Sequence, residues 1–196
     1  SFGSGGKVNT AIGTVDDYGY SVALQTDGKI LVTGSTGYDL ALVRYNADGS
    51  LDSGFGTGGK VTTAIDTGEN QGFCVTVQPD GKILVTGVTS NSNSNDQDIA
   101  LLRYNADGSL DSSFGSSGVV ITAVGVNNDY GYSVTVQPDG KILVAGFAFN
   151  GANNDVALLR YNADGSLDSG FGTGGKVTTA IGAGDDYGRS VTVQPD

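Results

Sequence analysis

The decapeptide RYNADGSLDS stands unchanged at 44–53, 103–112 and 160–169. The rest of the chain repeats around it. Phe2, Phe55, Phe114 and Phe171 mark equivalent positions at spacings of 53, 59 and 57 residues, and Asp27, Asp80, Asp139 and Asp196 keep the same spacings. Self-similarity at one period makes each copy a supersecondary unit that buries its apolar faces against its neighbours. The units run 1–53, 54–112 and 113–169, with a partial copy at 170–196.

Each full unit contains four strand-like runs, here called a, b, c and d. In the second unit they are 60–65 (KVTTAI), 74–78 (CVTVQ), 82–87 (KILVTG) and 99–105 (IALLRYN). Between b and c lies Pro79-Asp80-Gly81, repeated as Pro138-Asp139-Gly140 and, without the proline, as Thr26-Asp27-Gly28. Proline presets φ and glycine accepts φ > 0, so the spacing predicts a tight hairpin. The d–a connection is too long for a two-residue turn, and its glycines let the chain fold back closely. Runs such as Ile83-Leu84-Val85 and Ala100-Leu101-Leu102 are apolar on consecutive positions, the pattern of strands buried on both faces.

Four antiparallel strands repeated every ~55 residues predict an all-β fold, a β-propeller built of four-stranded blades. The chain reads a-b-c-d three times and then a-b, fourteen strands or about 3.5 blades. A propeller needs about four to eight blades to close, and open strand edges invite pairing with other chains. The expectation is therefore a window on a longer propeller, or a chain completed by another. A first residue other than methionine and an end inside a b–c turn, at Gln194-Pro195-Asp196, favour the window.

Ten basic against 21 acidic residues give a net charge of −11. That repels phosphate backbones and anionic lipid, so no nucleic-acid partner is expected. No stretch approaches the ~20 apolar residues of a membrane-spanning helix, so no direct membrane insertion is expected either. No signal peptide is visible. The single cysteine, Cys74, occupies the place of Ser21, Ser133 and Ser190, which predicts a small, half-buried side chain.

The linked segments FGTGGKVTT (55–63 and 171–179), SVTVQPDGKILV (133–144) and ALLRYNADGSLDSGFG (157–172) resemble the delta-60 repeat, a family also described as the DUF5122 β-propeller. The likeness covers essentially the whole chain. It implies extracellular or bacterial cell-surface proteins in which such repeats form arrays. It carries no catalytic motif, cofactor or settled biochemical role.

Length varies in one loop only. Gly34 to Asp39 is 5 residues, Gly87 to Asp98 is 11 and Gly146 to Asp155 is 9, whereas Asp39 to Gly87 and Asp98 to Gly146 are both 48. This c–d loop reads STGY, VTSNSNSNDQ and FAFNGANN. Alternating strand directions place c–d and a–b loops on one face, and b–c and d–a loops on the other. The a–b loops carry Asp16-Asp17-Tyr18, Glu69-Asn70-Gln71, Asn128-Asp129-Tyr130 and Asp185-Asp186-Tyr187. Binding residues concentrate in variable loops on rigid scaffolds. The candidates are Asp17, Tyr18, Tyr38, Asn91, Asn93, Asn95, Asp129, Tyr130, Asn150, Asn153, Asp186 and Tyr187, side chains that hydrogen-bond and stack on sugars. The alternative is polar loops that drift without function.

The segment Asn46-Ala47-Asp48-Gly49-Ser50-Leu51-Asp52 resembles the middle of an EF-hand loop, with oxygen donors at alternating positions. Its copies are Asn105, Asp107 and Asp111, and Asn162, Asp164 and Asp168. The first acidic ligand falls on Arg44 and no glutamate closes the site, so the competing expectation is a self-satisfied turn. No cofactor is expected beyond calcium at these nine residues. Asp39 and Arg44, like Asp98 and Arg103 or Asp155 and Arg160, lie five apart on a strand and cannot face each other. The arginine is expected to reach a neighbouring blade or a loop carboxylate.

Without histidine, general-base and triad chemistry lose their usual agent. The Gly-rich stretch 56–59 precedes a strand rather than a helix, so it is no phosphate loop. The sequence is read as a non-enzymatic extracellular propeller module, a scaffold or binding surface for protein or glycan at the cell surface. One alternative is a structural subunit of an array or filament, completed by copies of itself. The other is a polysaccharide-active enzyme whose acids break the repeat.

Overall fold

The computed structural model describes residues 2–90 and 96–194. Among the described residues twelve strands form three four-stranded antiparallel sheets, and there is no helix. The first blade is β1 (Asp17–Leu24), β2 (Ile30–Thr36), β3 (Asp39–Tyr45) and β4 (Lys60–Thr63), in that order across the sheet. The second is β5 (Asn70–Val77), β6 (Ile83–Ser90), β7 (Gln97–Tyr104) and β8 (Val119–Thr122). The third is β9 (Asp129–Val136), β10 (Ile142–Phe149), β11 (Asn154–Tyr161) and β12 (Lys176–Thr179). Each blade is therefore a b-c-d run closed by the a strand of the next sequence unit.

Fourteen strands were expected and twelve form. The first a run, near 7–12, and the last b run, 190–194, join no strand ladder among the described residues. The b–c hairpins form as read: Gly28, Gly81 and Gly140 take φ of +84°, +83° and +83°.

The core lies between blades. β5 packs across β1, β2 and β3, and β9 packs across β5, β6 and β7. One apolar cluster joins blades one and two through Leu31, Leu42, Phe55, Val75, Ile83 and Val85. The other joins blades two and three through Leu84, Leu101, Phe114, Val134, Val144 and Leu159. This explains the unbroken apolar runs. Ile83 and Val85 serve one interface while Leu84, on the opposite face of the strand, serves the other.

The RYN segment ties the blades in both directions. Tyr104 and Thr63 of the preceding blade share a hydroxyl–hydroxyl bond of 2.8 Å, and the Tyr161 hydroxyl donates to Thr122 at 2.9 Å. The arginine points the other way. Arg44 donates through Nη1 to the Ala106 carbonyl of the next blade at 2.5 Å, as Arg103 does to Ala163.

Candidate binding surface

Hydrogen bonds between loops define two faces. On one, Asn70 N donates to the Tyr38 carbonyl (2.9 Å) and Asn154 N to Asp185 Oδ1 (2.9 Å), so c–d and a–b loops meet there. On the other, Lys29 Nζ lies 3.1 Å from Asp52 Oδ2, joining a b–c turn to a d–a loop.

The b–c/d–a face repeats one latch three times. Arg103 Nε donates to Asp111 Oδ2 at 2.7 Å, Lys82 Nζ reaches the same oxygen at 2.5 Å, and the guanidinium lies 4.4 Å above the Phe114 ring. Arg44–Asp52–Phe55 and Arg160–Asp168–Phe171 copy it. Lys29, Lys82 and Lys141 are the leading reason that Asp52, Asp111 and Asp168 are held below the ordinary carboxylate range, Asp168 at about 2.

These carboxylates are three of the nine candidate calcium ligands, and the other six are equally engaged. Asp107 Oδ1 accepts from Ser109 N (2.9 Å) and from its hydroxyl, while Asn105 Nδ2 donates to Ser109 Oγ at 3.0 Å. Asn46 and Asp48, and Asn162 and Asp164, repeat this geometry. Each side chain turns onto its own loop instead of a shared centre. Among the described residues no three His, Cys, Asp or Glu side chains gather as a metal ion requires.

On the a–b/c–d face, the expected ligand acids do a different job. Asp129 is fully buried, accepting from Val124 N at 2.6 Å and from the Gly125 and Phe149 amides. Its burial pushes the carboxyl up, against those three bonds. Asp17 accepts from Ile12 N at 2.9 Å and Asp186 from Ile181 N at 2.7 Å. All three clamp the a–b loop, so they do not present their carboxylates outward as the sequence reading expected. Asn70 clamps its own loop through amide bonds to the Asp66 and Gly68 carbonyls. Asn150 Oδ1 accepts from Ala152 N and Asn153 N, and Asn153 donates to the Gly184 carbonyl, so these two asparagines also order loops. Tyr38 is exposed. Asn91, Asn93 and Asn95 lie outside the described residues.

The aromatic candidates come together, joined by others that sequence reading missed. Each inner strand carries a bulge, where the register slips between Gly19 and Ser21, between Gly72 and Cys74, and between Gly131 and Ser133. The extra residue is Tyr20, Phe73 or Tyr132, and Arg189 holds the same place in the partial fourth copy. Tyr20 meets Phe73 at 5.5 Å between ring centroids, Phe73 meets Tyr132 at 5.4 Å, and the Arg189 guanidinium lies 4.3 Å over Tyr132. Tyr18 stacks on Tyr20, Tyr130 on Phe73 and Phe147, and Tyr187 meets Phe147 edge-on. The result is a continuous aromatic belt from blade to blade.

The family model described as domain of unknown function (DUF5122) beta-propeller matches residues 25–55, 78–114 and 137–171. The chain belongs to the DUF5122 β-propeller family. The three matches cover the b–c turn, strands c and d and the d–a loop of each DUF5122 repeat, which is the latch face with its supporting strands. Of the belt, Phe147 lies inside a matched segment, whereas Tyr18, Tyr20, Phe73, Tyr130, Tyr132 and Tyr187 fall outside them. Among solved structures, the DUF5122 chain is similar to virginiamycin B lyase from Staphylococcus aureus, at 16% identity and a TM-score of 0.37, over 76% of this chain and 43% of that one. No curated protein sequence matches.

Cys74 is half-buried, as its place in the repeat predicts. At the equivalent place Ser21 Oγ accepts from Val75 N at 3.3 Å and Ser133 Oγ from Val191 N at 3.2 Å, each linking one inner strand to the next.

Proposed function

We propose that this DUF5122 chain is a non-enzymatic propeller module, working outside the cell, that offers its a–b/c–d face to a protein or glycan partner. The aromatic belt is the observation that carries this reading. Tyr18, Tyr20 and Tyr187 are 54%, 45% and 41% exposed although they sit among stacked neighbours. Exposed apolar rings held rigidly on one face mark interaction surfaces in soluble proteins. The opposite face supports a framework role, because its latches engage six of its cationic side chains. The extracellular setting follows the delta-60 resemblance.

Retention on glycan and peptide arrays tests the reading. Wild-type protein and an Asp107→Ala variant on the latch face should be retained alike, and Tyr20→Ala should release. Equal retention of Tyr20→Ala and wild type sinks it.

A second reading, a structural subunit completed by its own copies, is supported by one contrast. Val22 on the free face of the first blade is 66% exposed, whereas its counterparts Val75 and Val134, covered by the preceding blade, are each 5% exposed; Leu24 is 72% exposed, whereas its counterparts Val77 and Val136 are half-buried. Sedimentation velocity distinguishes it. Concentration-dependent association that Leu24→Lys abolishes supports an array, and a monomer at all concentrations removes it.

A further inference from the structure

We infer that the aromatic face recognises a cationic, arginine-bearing peptide segment, an inference that rests on the binding-face reading above. Charge is the first reason. Eleven of the 21 acidic residues lie in the a–b and c–d loops or at the strand ends that meet them. Seven of the ten cations sit at the opposite end, six of them in the three latches. Lys60 and Lys176 begin outer strands and donate to the Ala11 and Ala123 carbonyls. The net charge of −11 is thus concentrated on the face that carries the belt. A one-signed field of this kind raises the local concentration of an oppositely charged partner and steers its approach.

The tenth cation is the second reason. Arg189 breaks the Tyr-Phe-Tyr series at the bulge position, with its guanidinium 4.3 Å from the Tyr132 centroid and 4.8 Å from that of Tyr187. It forms no ion pair among the described residues. Two rings hold it, through the negative π faces that attract a weakly hydrated planar cation. The fold therefore contains an example of the contact that a peptide guanidinium would make on Tyr18 or Tyr20. Asp16 and Glu69, both exposed beside the belt, supply carboxylates for the remaining guanidinium donors. A neutral sugar would use the same rings but gain nothing from the charge.

Fluorescence anisotropy with a labelled alternating Arg-Gly decapeptide tests this, beside an alternating Glu-Gly decapeptide and a neutral cello-oligosaccharide. The Arg-Gly peptide should bind, more weakly as salt rises. Tyr20→Leu, which keeps an apolar contact to Phe73 but removes the π face, should weaken it about threefold, the worth of one exposed cation–π contact. Arg189→Ala should tighten it about as much by freeing Tyr132 and Tyr187. Thermal melts of each variant separate lost binding from lost folding, and Tyr20→Phe, which restores a π face, should recover affinity. Binding indifferent to both substitutions, or weakened by Arg189→Ala, overturns the inference. Tyr20-dependent binding of the oligosaccharide without the peptide also overturns it, while leaving the binding face intact. Binding of none of the probes removes both.

Discussion

Arg103 Nε lies 2.7 Å from Asp111 Oδ2, and the same guanidinium reaches the Ala163 carbonyl of the next blade. One side chain thus fixes its own d–a loop, caps Phe114 and ties two blades together. Both members of the pair are under 10% exposed, their side chains 8% and 7%. Removing one partner of such a pair leaves a buried charge uncompensated, though Lys82 still faces Asp111. Arg103→Ala should therefore cost about 3 kcal/mol in urea unfolding. Arg160→Ala should cost about half as much, because among the described residues Arg160 reaches no next-blade carbonyl and its side chain is 23% exposed. Equal losses at the two positions would show that the inter-blade contact contributes nothing.

Gly87 faces the bulge of β5, and a Cβ there would lie 1.8 Å from the Gln71 carbonyl oxygen. That clash is with backbone and cannot relax cheaply. Gly87→Ala should destabilise by about 3 kcal/mol or more, through loss of the bulge register. Gly81 provides the contrast, with φ of +83° but nothing within 4 Å of its Cβ position. There alanine meets only the left-handed backbone penalty, so Gly81→Ala should cost about 1 kcal/mol. Similar melting midpoints for the two variants would remove the steric account.

The strands and turns were legible because short unbroken apolar runs bounded by Pro-Asp-Gly turns have few competing readings. The blade boundary was not. Strand a follows d in sequence whether it closes that blade or opens the next, and only the β3–β4 ladder, Leu40 opposite Thr63 to Val43 opposite Lys60, decides it. The inner strand was read as starting at Cys74, yet β5 starts at Asn70, because the extra Phe73 breaks the alternation that marks a strand. A signal was present: an aromatic between Gly and Ser or Cys in each full copy, with a glycine (Gly34, Gly87, Gly146) always at the end of strand c. The acids misled for a different reason. A carboxylate that caps loop amides, such as Asp129, is written in sequence like one that faces solvent.

Asp107 holds its loop through Ser109 N and Oγ, and Asn105 bonds the same hydroxyl. A self-contained turn of this kind needs no cation. Melting midpoints with millimolar calcium and with chelator should agree, while Asp107→Ala should lower the midpoint as Ser109 N loses its carboxylate partner. A midpoint raised by calcium in wild type and not in Asp107→Ala would establish a calcium site instead.

Asp52, Asp111 and Asp168 share the leading cause of their lowered titration, the lysine beside each, and this contributes a loss of stability on the acid limb, against which the raised carboxyl of buried Asp129 acts. Asp168 titrates at about 2 in the folded chain against 3.8 for an unperturbed carboxyl. A folded value below the unfolded one means that folding favours the ionised form. The contribution is complete above the unfolded value and disappears as pH falls through the folded one. Urea midpoints should hold between about pH 6 and 5, then fall steeply from about pH 4 to 2. Lys141→Met removes the leading partner of Asp168 and lets its carboxyl rise towards the ordinary range, narrowing the gap between folded and unfolded values. That variant should be less stable than wild type at pH 6, and the difference should shrink as pH falls through about 2 and Asp168 takes up its proton in both. A difference that stays constant across that range would mean that Lys141 acts through packing of its methylenes and not through its charge.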